Sequence, residues 1–490
     1  MTIPVRKAYS SSRRGIGRTS LVILIVVIII IAGGGSYAYY ASHTAVAAKP
    51  VTLTIMVDSG SETQQYLSIV ANDFHALHPN VIINIEPVGF SDMVTQALTT
   101  LKNKASQPAI IMYYPSQAPD EAPYLMNLEQ FMNGSDPIIN GSNLITSEMQ
   151  AGGYYYAANG SVISIVGVPI HSVFGYVLGY QKSIFENSTL AQQFQSEYGF
   201  PFSPQNLTSW TQLYDLASFI NQTHAAEYAL LIPDSPHHAI IDMAAPLIAY
   251  YEQQDHTPGY TPAPPGFYSY FAYINGQWTT TFNSSAGVQA LQIWKKLVQF
   301  EPSPTVQPIG YDQQEHFPLT GDYAMFIAWT SFIPIYENSS VSKIAGNLGI
   351  ALLPGQTTGL APTFLGINPY GPDPKVAAQF IAFALSDQEY EKGIEQLGYV
   401  PGTYTGIAEA THNPNLSWLS PFLTFLKTAE IPPRLAAVVP RISTFSATLI
   451  PEFNQQVYNY LIGQNTDAMA VLNTAAREWM TYIEQQQVVL

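Results

Sequence analysis

Apolar and polar positions follow first a strand period and then a helix period at the start of the main body of the chain. Residues 51–57, VTLTIMV, are rich in β-branched side chains at alternating positions, which predicts a strand. A polar turn follows, and Ser61 and Gln64 have the spacing of a helix-capping box. Apolar residues then recur with a helical period until Pro79, so the pattern predicts a strand followed by a helix.

The same order repeats along the next residues. A second strand is predicted over 81–88, a second helix over 91–104 and a third strand over 109–114. This alternation is typical of a mainly parallel sheet covered by helices, in which ligands bind beyond the carboxyl ends of the strands. The loops at those ends are the first places to look for a site: 58–62, 89–92 and 113–121.

Helical periods return in the rest of the body, so the predicted fold class is α/β. The stretch 255–278 is rich in Pro, Gly and Tyr, which predicts an irregular surface excursion. The later predicted helices cover 211–221, 285–300, 374–385, 387–397, 445–461 and 467–487.

A membrane-directed segment precedes this body. Residues 21–32 are unbroken apolar sequence, and the 21 residues of 21–41 are enough to cross a bilayer of about 30 Å. Five Lys and Arg residues lie in the basic segment 1–20, and three tyrosines lie near the end of the apolar stretch. Because basic residues stay inside and aromatic residues favour the interface, we expect the body to lie outside the cell, joined by a tether at 42–50.

Three interpretations of this apolar segment stay open. It is an uncleaved anchor, a secretory signal with a small-residue site at Ala45-Val46-Ala47, or a pilin-like signal. The last rests on Arg14-Gly15-Ile16, which resembles the signals of archaeal surface proteins that are cleaved after the glycine and keep the apolar helix. The small-residue site lies far beyond the apolar core, which favours a retained helix.

Composition limits the chemistry of the body. Charged residues make up 11% of the chain, less than half the usual share, and cysteine is absent, which excludes disulfides and thiolate metal sites. The body holds 12 basic and 34 acidic residues, so we expect it to repel nucleic acid. The low charge suits an acidic exterior, where protonated carboxyls cannot form ion pairs. Stability that collapses below about pH 4 would contradict that hypothesis.

Glycosylation sequons also favour an outside location. Nine of the 23 asparagines begin N-x-S/T, where chance would give about three or four. Together with the pilin-like signal and the low charge, they suggest an archaeal source. The predicted glycosylation sites are Asn133, Asn140, Asn159, Asn187, Asn206, Asn221, Asn283, Asn338 and Asn415.

The sequence contains no recognisable enzyme motif. There is no P-loop, no nucleophile elbow and no H-E-x-x-H pair. His237 and His238 are the only adjacent histidines, and without spaced carboxylates they are more typical of a solvated loop than of a metal site. We therefore expect no metal and no cofactor.

Seven segments, in order along 51–490, resemble family 1 extracellular solute-binding proteins of ABC importers, the maltodextrin-binding-like group. The opening LTIMVDSG…ANDFHALHPNVIINIEPV is similar to the family's first strand, helix and second strand. VGVPIHSVFGYVLGYQKSIFEN resembles its crossing segment, with Gln181 where Asn is usual, and LTSWTQLYDLASFI resembles a helix start. The later segments are NGQWTTTFNSSAGVQALQIWKKLV, FPLTGDYAMFIAWTSF, LGIALLPG and PTFLGINPYGPDPKVAAQFIAFALSDQEYEKGIEQLGYVPG.

The resemblance implies a periplasmic-binding-protein-like fold. Two lobes, each a mainly parallel sheet flanked by helices, are joined by crossing strands and close on a ligand by a hinge motion. The implied crossings lie near 167–176, 362–367 and 401–407. The implied lobes are 51–170 with 363–403, and 175–360 with 408–490.

The resemblance also implies a sugar or oligosaccharide ligand. Aromatic rings stack on the C–H face of a sugar, and the 32 Tyr and six Trp residues suit this task, although apolar cores also use aromatic rings. Trp329 lies two positions earlier than the tryptophan of the commonest family motif. The candidate ligand-binding residues, each with a structural role as the alternative, are Ser59, Glu62, Tyr113, Tyr114, Gln117, Asp234, Trp329, Gly366, Asn368 and Trp418.

The sequence therefore predicts a membrane-tethered extracellular solute-binding protein, not an enzyme, that delivers a sugar to the permease subunits of an ABC transporter. Two alternatives stay open. A surface-anchored glycoside hydrolase would need two carboxyls facing one cleft and would hydrolyse a chromogenic glycoside. A structural, pilus-like surface protein would lack a ligand-sized cleft.

Overall fold

The strands of the body form two separate main sheets, and helices cover them. A computed structural model defines the parts of the chain described below. They are residues 49–115, 117–156, 161–172, 175–205, 207–236, 239–252, 270–274, 277–303, 305–355, 358–360, 362–420, 422–423, 435–437 and 445–486. The predicted membrane segment, His237 and His238, and most of the excursion 255–278 lie outside the described residues.

The first sheet has five strands, in the order β2-β1-β3-β14-β6. β1 pairs in parallel with β2 and β3, as the βαβ pattern predicts, whereas β14 runs antiparallel to both β3 and β6. These strands are β1 (Val51–Asp58), β2 (Val81–Val88), β3 (Ile110–Tyr113), β6 (Gly167–His171) and β14 (Thr363–Ile367).

The second sheet has four strands, in the order β12-β7-β11-β8. β11 runs parallel to β8 and antiparallel to β7, and β7 runs antiparallel to β12. These strands are β7 (Tyr176–Gln181), β8 (Tyr228–Leu231), β11 (Tyr323–Trp329) and β12 (Leu348–Ala351).

Both sheets are mixed, where the sequence predicted mainly parallel ones. The reason lies in the connections: β6 leads directly to β7 of the other sheet, and β12 of the second sheet leads back to β14 of the first. A strand that arrives from another sheet is not joined to its neighbour by a crossover helix, so its direction is not constrained to be parallel. Residues 51–490 form one compact unit, and the predicted lobe boundaries stay a prediction.

Three further pairs of strands lie outside the two main sheets. They are β4 (Tyr154–Tyr156) with β5 (Val162–Ile165), β9 (Phe271–Ile274) with β10 (Gln277–Thr280), and β13 (Thr358–Leu360) with β15 (Leu435–Ala437). β9 and β10 form an antiparallel hairpin at the end of the stretch predicted to be irregular.

The longer helices lie close to the predicted bounds, with three additions that the periodic pattern did not reveal, α3, α5 and α9. Among the described residues they are α1 (Glu62–Leu77), α2 (Phe90–Lys102), α3 (Ser188–Tyr198), α4 (Trp210–Thr223), α5 (Ala239–Glu252), α6 (Ser285–Leu297), α7 (Pro374–Ala384), α8 (Asp387–Leu397), α9 (Tyr404–Ala410), α10 (Phe445–Leu461) and α11 (Ala468–Gln486). None of these described helices is both long enough and apolar enough to cross a membrane.

Each main sheet has its own apolar core. The core of the first sheet includes Val70 of α1 and Phe380 of α7, whereas that of the second sheet includes Trp294 of α6 and Trp479 of α11. A third apolar cluster covers the other side of the second sheet and contains Ile407 of α9. The C-terminal helices thus pack with the second sheet.

Candidate functional site

The start of α1 places two polar side chains at the carboxyl end of β1. The Ser61 hydroxyl accepts a hydrogen bond from the backbone N–H of Gln64 (3.1 Å), so Ser61 caps the helix as its spacing predicts. Glu62 and Thr63 are therefore the first two helical residues, and their position is fixed by the cap.

His171 ends β6 and faces these two residues. Its imidazole ring stacks on Tyr399, with ring centres 4.3 Å apart, and Tyr399 stacks in turn on Tyr66 of α1 at 4.2 Å. Gly402 permits this close packing of the 399–402 segment against β6, since a Cβ atom there would collide with the carbonyl of Pro169.

A chain of polar contacts runs from the surface of this site inward. Glu62 Oε2 lies 3.3 Å from His171 Nε2, and His171 Nδ1 lies 3.4 Å from the Thr63 hydroxyl. That hydroxyl lies 3.3 Å from the Tyr399 hydroxyl, which donates to the carbonyl of Ile170 (3.2 Å). The chain starts at a partly exposed carboxyl and ends at a buried backbone acceptor.

A pocket opens at the outer end of this chain, between residues of the first sheet and residues that follow β11 of the second sheet. Its empty volume, including its open mouth, is about 280 Å³. The residues that line it are Glu62, His171, Ser172, Thr330, Ser331, Ile333, Pro334, Gly398, Val400, Leu416 and Trp418.

Burial shifts the acidity of the two ionisable groups in the lining. It raises the pKa of Glu62 to about 7 and lowers the pKa of His171 to about 3, because both charged forms lose water. The Glu62 side chain keeps 28% of its surface exposed, whereas the His171 side chain keeps 7%. Between about pH 3 and pH 7, both groups therefore favour their uncharged forms.

Two more carboxyls lie near the pocket. Burial raises the pKa of Asp58, and the Tyr114 hydroxyl, which donates to Asp58 Oδ2 at 2.9 Å, works against that rise. Burial raises the pKa of Glu148 to about 8, and the Ser172 hydroxyl opposes that rise. The surroundings of the pocket are thus acidic in composition but weakly charged.

Two of the ten sequence-predicted ligand residues, Glu62 and Trp418, line the pocket. Trp329 lies just before the lining residue Thr330, and its ring packs on Tyr176 (5.2 Å) and Tyr311 (6.1 Å). Trp329 is the last residue of β11, so it lies at the end of the second sheet that borders the pocket.

The other candidates near the first strands lie in turns and in the core. Ser59 is exposed, and its N–H donates to the carbonyl of Val88. Tyr113 is fully buried and donates to the carbonyl of Gly152 (3.0 Å), whereas Tyr114 bonds Asp58. Gln117 is buried and accepts from the backbone N–H of Tyr114.

The last three candidates, Asp234, Gly366 and Asn368, are buried. Asp234 is fully buried and accepts from the N–H of Ile309 at 2.6 Å, and burial raises its pKa to about 7. Gly366 lies within β14. Asn368 is buried and donates to the carbonyls of Ala105 and Pro108 (2.8 and 2.9 Å). None of the three lines the pocket.

Sequence reasoning missed His171, Ser172, Thr330 and Ser331. The same sequence pattern could have revealed both pairs. In VPIHS and in MFIAWTS, two polar residues lie at the end of an apolar strand or directly after it. Within the described residues, no group of three or more His, Asp or Glu side chains could hold a metal ion.

The chain belongs to the bacterial extracellular solute-binding protein family, whose model matches residues 70–415. This is a family of binding proteins, not of enzymes. A "Probable ABC transporter-binding protein" of Deinococcus radiodurans is 28% identical over 126 residues, which are 25% of this chain and 30% of that protein. The chain thus matches about a third of the length of this relative.

Solved structures of sugar- and polyol-bound proteins share the fold. Maltose-bound MalE3 of T. maritima has a TM-score of 0.64 at 18% identity, covering 88% of this chain and 100% of that one. An ABC transporter solute-binding protein of Agrobacterium vitis with bound D-mannitol has a TM-score of 0.62 at 18% identity, covering 89% and 99%. The predicted α/β periplasmic-binding-protein fold is confirmed.

Proposed function

We propose that this protein captures a neutral, hydroxyl-rich solute, a sugar or a polyol, in the pocket lined by Glu62 and Trp418 and delivers it to the permease of an ABC transporter. The observation that carries the proposal is the lining itself. It combines one indole ring with hydroxyl and imidazole groups and, among the described residues, contains no Lys or Arg. Maltose and D-mannitol, the solutes named for two proteins of the same fold, are of this chemical class.

The charge of the lining disfavours other solute classes. An anionic solute would be desolvated beside Glu62 without a cation to pair with, and an unpaired buried charge is costly. A cationic solute would need an ionised carboxyl, whereas burial favours the protonated form of Glu62. Hydroxyl groups, in contrast, match the Ser, Thr and His groups as donors and acceptors.

The lining also bears on the hydrolase alternative. Glycoside hydrolysis needs a pair of carboxyls on the two sides of the scissile bond. Glu62 is the one carboxyl among the described lining residues, and it lies on the side of the first sheet. This geometry favours binding over hydrolysis.

The proposal includes three further features: a membrane anchor, closure of the lobes and glycosylation. Residues 21–41 anchor the protein, and the predicted lobes close on the solute by bending at the crossings. Sugars are attached at sequons whose asparagines are exposed. Among the described positions these are Asn133, Asn140, Asn187, Asn221 and Asn338, while Asn283 is half-buried.

A thermal-shift panel at pH 5 tests the solute class. It compares monosaccharides, maltodextrins and polyols with amino acids, peptides and carboxylic acids of similar size. A solute in hundredfold excess over its Kd stabilises the native state by about 2.7 kcal/mol, which shifts the melting temperature measurably. Shifts with peptides or organic acids but with no sugar or polyol would refute the proposal.

Replacing Trp418 by Ala is expected to weaken binding of the solute found in that panel by about 5- to 150-fold. This range corresponds to about 1–3 kcal/mol, the free energy that one aromatic ring contributes by stacking on a nucleic-acid base. Calorimetric titration measures the loss, and Trp418→Phe, which keeps a ring, should restore part of it. Trp329→Ala is the matched comparison: a lower melting temperature with unchanged affinity would assign Trp329 to the core.

A further inference from the structure

The hydrogen atoms in the chain of polar contacts from Glu62 to the carbonyl of Ile170 can be counted, because the last group of that chain can only accept a hydrogen bond. The carbonyl of Ile170 can only accept, so the Tyr399 hydroxyl donates to it. The single hydrogen of Tyr399 is then used, and the contact with Thr63 must be filled by the Thr63 hydroxyl hydrogen. Thr63 in turn must accept from Nδ1 of His171.

The direction of these hydrogen bonds determines whether a hydrogen atom lies between His171 Nε2 and Glu62 Oε2. A neutral imidazole that carries its proton on Nδ1 presents a lone pair at Nε2. The contact of Nε2 with Glu62 Oε2 then contains a hydrogen only when the carboxyl supplies it. Four contacts thus need four hydrogens, one each from Tyr399, Thr63, His171 and Glu62.

An ionised Glu62 leaves this chain one hydrogen short. With a neutral imidazole, only three hydrogens remain for the four contacts, so one buried contact loses its hydrogen bond, whichever way the chain is oriented. The alternative that keeps all four is an imidazolium beside a carboxylate. The His171 side chain is only 7% exposed and stacks on the fully buried Tyr399, so a charged ring there is disfavoured.

We propose that Glu62 is a neutral carboxylic acid that donates its proton to Nε2 of His171, and that the pocket loses solute affinity when Glu62 ionises. The inference deepens the proposed function, since it assigns the protonation state of the same site. An uncharged lining suits a neutral solute. Loss of the Glu62 proton places a negative charge in the lining and removes the hydrogen bond between Glu62 and His171. The site would then hold its solute in an acidic exterior and weaken its hold as the pH rises.

The groups that surround Glu62 agree with this assignment. Asp58 and Tyr114 lie at the ends of β1 and β3, and both Tyr114 and Tyr399 are close enough to Glu62 to interact with its charge. Glu148 lies beneath the pocket beside Ser172, and Tyr390 donates to the carbonyl of Ile170 at 2.9 Å. These neighbours are acids or phenols, and none of them is a cation that would stabilise a negative charge on Glu62. Burial likewise raises the pKa of Glu62, to about 7.

Infrared difference spectroscopy of the full chain tests the protonation state without any solute. The spectrum of the wild type minus that of Glu62→Gln at pH 5 should contain a protonated-carboxyl C=O band, and at pH 8.5 a carboxylate band instead. A carboxylate band at pH 5, which an imidazolium–carboxylate pair would also give, overturns the proposal. Glu186→Gln, at an exposed glutamate, is the control for solvent-exposed carboxyls.

Titration with maltose and D-mannitol tests the consequence for binding. Wild-type affinity should fall about tenfold from pH 5 to pH 8, as expected when only the protonated form binds and its pKa is about 7. Glu62→Gln carries an amide that cannot ionise, so the ratio of its affinities at the two pH values should be close to one. Equal pH dependence in both proteins would overturn the coupling. If no member of the solute panel binds, the proposed function fails, and the infrared result still decides the state of Glu62.

Discussion

Raising the pH from 6.5 to 8 should lower the free energy of unfolding by at least about 2 kcal/mol. Glu148 accounts for about 1.6 kcal/mol of this figure, because each pH unit between its unfolded and folded pKa is worth about 1.4 kcal/mol and the loss levels off as the folded group ionises near pH 8. Its ordinary pKa is 4.5, and burial raises it to about 8, so the unfolded chain ionises first and is stabilised as the pH rises. Burial raises the pKa of Glu121 and Glu301 in the same direction, which adds to the loss.

The pH range starts at 6.5 because, below that pH, the titration of His171 changes the free energy of unfolding in the opposite direction. Its pKa falls from 6.5 to about 3 on folding, so protonation of the unfolded chain favours unfolding as the pH drops through that range. Urea unfolding at a series of pH values measures the effect. Glu148→Gln should remove about 1.6 kcal/mol of the change, whereas Glu186→Gln, at an exposed position, should leave it intact. Stability that rises between pH 6.5 and 8 would show that these buried carboxyls ionise in the folded protein.

Replacing Trp479 by Ala should cost about 3–5 kcal/mol of stability, the usual cost of removing a large aromatic side chain from a core. Trp479 of α11 is fully buried, and its indole N–H donates to the carbonyl of Leu449 in α10 at 3.0 Å. Its ring packs on Phe282 at 4.7 Å and on Phe453 at 5.4 Å. The substitution therefore removes apolar contacts and also the hydrogen bond that joins α11 to the carbonyl of Leu449 in α10.

Met469→Ala is the matched control, because Met469 lies on the same helix with 37% of its surface exposed. Surface changes of this kind are usually worth about 0.5 kcal/mol or less. Denaturant unfolding of the two variants separates the outcomes. Nearly equal stabilities would mean that the C-terminal helices contribute little to the core of the second sheet.

The helices that could be predicted from the sequence are those with one buried face. α1 was predicted with its Ser61 cap, and α8 with both ends, since each has an apolar stripe and a polar side. α5 was missed because it is buried nearly all round: its sequence, AIIDMAAPLIAYYE, has no polar face and contains Pro246. The direction of β14 was also missed, because strand direction depends on which sheet the preceding segment leaves.

The site could be predicted in part for a similar reason. Glu62 follows a strand whose position the βαβ pattern defines, so its place at the sheet edge was foreseeable. At the end of β3, however, neighbouring side chains point to opposite faces: Tyr113 lies in the core, and Tyr114 reaches Asp58. His171 could not be chosen from sequence alone, since its role depends on Thr63 and Tyr399, which lie 108 and 228 residues away from it.

Small-angle X-ray scattering of residues 49–490 tests most directly whether the solute is held between the two sheets. The solute selected by the thermal-shift panel would touch Glu62 and His171 on one side and Thr330 and Ser331 on the other, so it should favour the closed arrangement. We expect a smaller radius of gyration at saturating solute than without it. An unchanged radius alongside saturated binding would contradict closure of the two lobes and indicate a rigid, preformed site.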